Sequence, residues 1–81
     1  MPYIKADRRV SLSGKLDSAK TAGELNYLFT ELITQYCEEN KLSYQTINDV
    51  VGALEGAKLE FYRRVAVPYE TAKIAQNGDV Y

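Results

Sequence analysis

Between Ser43 and Ala66, apolar residues return every three or four positions: Ile47, Val50, Val51, Leu54, Phe61, Tyr62 and Val65. That spacing lines one face of an α-helix; a strand, with its period of two, would scatter it over both faces. Ser43 is a good N-cap, and Leu42 before it can staple against Ile47. Val67 precedes Pro68, a position that disfavours helical backbone. A helix is therefore expected over about 44–66, ending near Ala66.

A second segment, "TAGELNYLFTELITQYCEENK", has the same period. Thr21 followed by Glu24 is a capping box. Leu25, Leu28, Phe29, Leu32, Ile33, Tyr36 and Cys37 then form a wide apolar face, with Glu24, Glu31 and Glu38 on the other side. This helix is expected over about 22–40. Only a few residues join it to the next, so the two are expected to pack as an antiparallel hairpin. Pro68 suits the first turn of a short C-terminal helix over about 69–76, which Asn77-Gly78 stops. The first residues are less decided. "DRRVSLSGKLDSAK" reads as a short helix near 7–18 or as an arm, because Gly14 and three serines oppose a long helix. The expected fold is all-α, a single helical domain over 1–81.

Size then raises a difficulty. A chain of 81 residues buries only roughly 60–65% of the surface its unfolded form exposes, so its core is marginal. Small scaffolds gain stability from disulfides, a metal or assembly. Cys37 is the only cysteine and there is no histidine, so neither an internal disulfide nor a tetrahedral zinc site can form. Assembly as a homo-oligomer is the remaining route. The charge distribution suits it. Residues 1–20 carry five Lys or Arg against two Asp, whereas residues 21–40 carry four Glu and no base. Such a dipolar chain fits head-to-tail contacts between subunits, although ordinary surface charge gives the same pattern. The net charge of −1 gives no basic field for duplex nucleic acid. No run approaches the ~20 apolar residues of a membrane span. "MPYIKADRRV" has no apolar signal region, and a cytoplasmic protein is expected.

The residues argue against catalysis. Without histidine there is no Ser-His or Cys-His pair, and no phosphate-binding glycine loop is present. Cys37 falls on an apolar face and reads as a core residue. The chain is expected not to be an enzyme and to use no cofactor and no metal. Binding features are more prominent. Lys58 falls inside the apolar stripe between Leu54 and Phe61, either snorkelling to water or lining a cavity for an anion. Gly52 and Gly56 cost about 1 kcal/mol each within a helix. With Leu59 and Arg63 they form a second, smooth stripe where another backbone or a flat ligand can come close. Gly52, Gly56 and Leu59 are the expected oligomer interface. Seven Tyr against two Phe and no Trp is an interface-like choice of aromatic.

The block "VVGALEGAKLEFYRRVAVPYETAKIAQNGDVY", with "LSYQTIND" before it and "MPYI" at the start, resembles a family of short bacterial and bacteriophage proteins without an assigned activity. The likeness is close over about 41–81 and loose over 5–20. It supplies no catalytic residue. It implies a phage or mobile-element setting, and the host cytosol as location.

Two functional expectations follow. In one, the protein is an oligomeric sponge for an anionic, nucleotide-derived immune signal such as a cyclic nucleotide or ADP-ribose derivative. Arg8, Arg9, Lys58, Arg63 and Arg64 would meet phosphates, and Tyr62, Tyr69 and Tyr81 would meet bases, in interface pockets built by the end of the long helix and the tail. In the other, the glycine stripe and the acidic helix dock on a host or phage protein. A purely structural reading of the arginines also exists: they complement the helix C-terminus, with Glu60 pairing to Arg64.

Overall fold

A computed structural model describes residues 4–14 and 17–81 of the chain. Its elements are α1 (Ala6–Ser13), α2 (Ala22–Asn40), α3 (Tyr44–Phe61), a π turn (Tyr62–Ala66) and α4 (Val67–Asn77). The described residues contain no strand, and the fold is all-α. The chain divides into two units, Met1–Lys41 and Leu42–Tyr81. The two segments expected to form a hairpin fall one in each unit, and each unit is described by itself.

In the first unit, α1 is only eight residues long. Lys5 caps it without a side-chain bond, although its carbonyl accepts the Arg9 N–H at 2.9 Å. Gly14 ends it, donating to Val10 O at 3.2 Å. The helix expected near 7–18 is therefore shorter than the reading. Its positions 15 and 16 lie outside the described residues, and 17–20 are not helical. Serines and Gly14 give too little propensity to carry it on. α2 matches its expected bounds because its signals are local. The Glu24 N–H donates to Thr21 Oγ1 at 3.1 Å, and the Glu24 carboxylate accepts the Lys20 N–H at 3.0 Å. The carboxylate thus reaches one residue before the cap rather than the cap itself. Leu28, Ile33 and Cys37 are the half-buried residues of α2. At the far end, Lys41 takes φ 62°, unusual for a residue with a Cβ.

The second unit starts on the expected cap. Ser43 Oγ accepts the Thr46 N–H at 3.1 Å and lies 3.1 Å from the Thr46 hydroxyl. Thr46, at 4% exposure, is the one buried residue among those described. From there the helix does not break where Pro68 led us to expect. Phe61, Tyr62, Ala66 and Val67 all keep right-handed helical dihedrals, and α3, the π turn and α4 run without interruption from Tyr44 to Asn77. At 1.5 Å per residue the rod is about 50 Å long. The expected end at Ala66 and fresh start at 69 are corrected on this point. The reason lies in hydrogen bonding. A proline ring in an α-helix collides with the carbonyl four residues back, here that of Arg64, and brings no N–H. The π turn widens the backbone just before this position: the Val67 N–H bonds Tyr62 O, five residues back. The proline is accommodated by one wider turn. Gly78, at φ 84°, then closes α4 by donating to Ile74 O at 2.8 Å.

No apolar side chain among the described residues is buried. The main stripe of the long helix stands out in water. Ile47, Val51, Leu54, Phe61, Tyr62 and Val65 each expose between 42% and 62% of their surface.

A candidate cationic cluster on the long helix

Glu60 organises the middle of the long helix. Its two carboxylate oxygens serve two different arginines: Oε1 accepts from Arg63 Nη2 at 2.5 Å and Oε2 from Arg64 Nε at 2.8 Å. Residues three and four positions apart both neighbour the first on a helix, so one carboxylate can hold both guanidinium groups. Glu60 is 20% exposed at its side chain and each arginine 67%. The trio carries a net charge of +1 and presents most of both guanidinium groups to solvent. Exposed ion pairs of this kind contribute at most about 1 kcal/mol each, so an incoming anion can compete with Glu60. The structural reading of the sequence paired Glu60 with Arg64; Glu60 also engages Arg63.

One turn earlier, Lys58 Nζ lies 3.7 Å from Glu55 Oε1, and its side chain is well exposed. Of the two alternatives for Lys58, this geometry is that of an ammonium kept in water. Further along α4, Lys73 Nζ sits 5.5 Å from the centre of the Tyr69 ring. That cation–π contact was not foreseen, although the four-residue spacing of Tyr69 and Lys73 is its signal. Tyr62 is half exposed between these groups.

The C-terminal tail folds a shallow concavity against α4, lined by Glu70, Lys73, Ile74, Asp79, Val80 and Tyr81. Its charged residues are two acids and one base, a weak attraction for phosphate. Arg63 and Arg64 are not among its lining. Tyr81 is fully exposed. Tail and arginines, expected in one pocket, are thus not brought together within one copy.

Arg8 and Arg9 lie on α1 in the other unit, exposed. Two further shallow concavities in that unit border α2. Asp17, Glu31 and Glu38 line one; Asp17, Glu24 and Tyr27 the other. Glu31 hydrogen-bonds Tyr27, and that bond, then the carboxylate's charge, holds the phenol above its ordinary pKa of 10. An ion-binding group of three or more His, Cys, Asp or Glu does not occur among the described residues. No helix among them is long and apolar enough to cross a membrane.

Gly52 and Gly56 meet nothing. A Cβ built on either has no neighbouring atom within 4 Å. Nothing among the described residues therefore requires glycine at these two positions. Leu59, on the same side, is 47% exposed.

A family model described as Domain of unknown function (DUF6899) matches residues 1–80, and the chain belongs to that family. No curated protein and no solved structure matches it.

Proposed function

We propose that this is a small non-enzymatic binding protein that works as an assembly of its own copies and takes up an anionic, nucleotide-derived ligand at the subunit contacts. The observation that carries the reading is the exposed apolar stripe of the long helix. Six large apolar side chains from Ile47 to Val65 stand half in water. Apolar burial is worth roughly 25 cal/mol per Å², so a helix with this face gains by covering it. Association of copies covers it and completes the core that 81 residues lack.

The ligand class rests on Arg63 and Arg64. Both keep two-thirds of their side chain in solvent, and Glu60 holds them in place. Guanidinium groups pre-ordered in this way suit the bidentate recognition of phosphate. Tyr62 and Tyr69 on the same helix offer faces for a base. In this reading Lys58, Arg8, Arg9 and Tyr81 join from neighbouring copies. The biological role would be sequestration of a bacterial immune signal in a phage-infected cell.

Native mass spectrometry gives the subunit count and any retained ligand together. Calorimetry with cyclic di- and trinucleotides and with ADP-ribose then tests the ligand class. An oligomer that releases no heat with any of them removes the sponge reading and leaves the assembly.

A second reading has its own support. The charged residues that line the concavity along α2 are all acids, and those at the tail are two acids and one base. Such a surface fits docking on a basic protein partner better than phosphate binding. A single stoichiometric partner recovered from host lysate, with no nucleotide heat, selects it.

A further inference from the structure

On the long helix, Asp49, Gly56 and Arg63 follow at intervals of seven, and Gly52 and Leu59 fall between them at heptad positions. All five share one side of the helix. Arg63 is only the second residue of the π turn, so the wider pitch has barely rotated it. The side is open: added Cβ atoms at Gly52 and Gly56 meet nothing, and Leu59 is half exposed. Asp49 and Arg63, opposite in charge, are also equally spaced about Gly56. Asp49 lies two turns before it and Arg63 two turns after, each about 10 Å along the axis.

We infer that a second copy of this chain crosses the long helix antiparallel at Gly56, with Asp49 of each copy facing Arg63 of the other. This rests on the assembly reading above and adds a second contact to it, because the glycine side lies roughly opposite the apolar stripe. A two-fold axis through Gly56 sets residue 49 against residue 63 twice, and 59 against 53 twice. Leu59 then enters a hollow made by Gly52, Ala53 and Gly56 of the second copy. The absence of side chains there lets the backbones approach closely, as small residues do wherever helices cross tightly. A parallel, in-register pairing places Asp49 on Asp49 and Arg63 on Arg63, and repulsion excludes it. The Arg63 bond to Glu60 does not compete, since a guanidinium carries five donors. A partner of different chemistry has no reason to repeat the spacing of acid, glycine and base about one point.

The test uses the full chain in sedimentation equilibrium with Asp49→Arg, Arg63→Asp and the double exchange. Each single reversal should weaken the dissociation constant about tenfold or more, and the double exchange should recover most of it. A second arm does not depend on charge. With Cys37→Ser in place, Gly56→Cys should cross-link two copies on mild oxidation much faster than Val51→Cys, because the axis brings position 56 against itself. Single reversals without effect on a wild-type oligomer, or equal cross-linking at 51 and 56, overturn this geometry and leave the assembly reading intact. A wild-type chain that stays monomeric at every concentration overturns both.

Discussion

The Val67 N–H donates to the carbonyl of Tyr62, five positions back. Through this bond the helix passes Pro68 without stopping, and Arg63 and Arg64 come to lie inside a π turn. Their carbonyls are the ones that an N–H at position 68 would have served, five and four residues on. The turn that accommodates the proline is also the turn that carries the two guanidinium groups. Pi turns of this kind recur at functional sites.

Replacing Pro68 tests that dependence. Pro68→Ala returns an N–H and removes the ring, so the π turn should relax to α. Stability should rise by about 1–3 kcal/mol, and α4 should rotate by about 100° against α3. Thermal unfolding by circular dichroism reads the first, and hydrogen exchange across 62–68 the second. An unchanged melting temperature would mean that something other than Pro68 holds the wider turn.

Ser43→Ala removes the acceptor for the Thr46 N–H and the hydroxyl neighbour of a buried threonine. A loss of about 1 kcal/mol is expected. Ser43→Asp should restore the cap and recover most of it. Urea unfolding of the two variants side by side gives the comparison.

These features differ in how far they could be read from residues. The starts of α2 and α3 were legible to the residue, because Thr21, Glu24 and Ser43 act within one turn. The passage through Pro68 was not. The rule that a residue before proline avoids helix holds for α geometry, and one wider turn escapes it with no mark in the sequence. Glu60 was paired with Arg64 at a spacing of four; that Arg63, at a spacing of three, shares the same carboxylate depends on its two oxygens serving different partners. The cost of two helical glycines led us to expect a close approach at Gly52 and Gly56, and within the chain nothing described lies within 4 Å of a Cβ there.

Tyr27 should ionise above its usual value, because a phenolate beside the Glu31 carboxylate would lose a hydrogen bond and face a like charge. Glu31→Gln keeps an acceptor for the phenol and removes the charge, so the pKa of Tyr27 should fall towards 10. The sign for stability follows. A raised folded-state pKa favours the neutral phenol in the folded chain, so the contribution is complete below about 10 and lost as pH rises through the folded value. NMR titration of the Tyr27 ring, with Tyr27→Phe to assign it among seven tyrosines, checks the shift. A Tyr27 that titrates identically with and without Glu31 would remove the interaction.

The two helical glycines give the sharpest separation of a lone chain from an assembled one. Within one copy, Gly52→Ala and Gly56→Ala have room, since no atom lies within 4 Å of the added Cβ. Each should therefore stabilise a dilute, dissociated chain by about 1 kcal/mol through helix propensity. In an assembly that brings another backbone onto this side, the same methyl groups collide. The sign should then reverse with concentration: the double variant melts higher than wild type when dilute and dissociates more readily when concentrated. Melting curves over a hundredfold range of protein concentration, paired with sedimentation at each end, show the crossing. Parallel curves, with the variant more stable throughout, would mean that nothing approaches the glycines and that their cost in the helix is uncompensated.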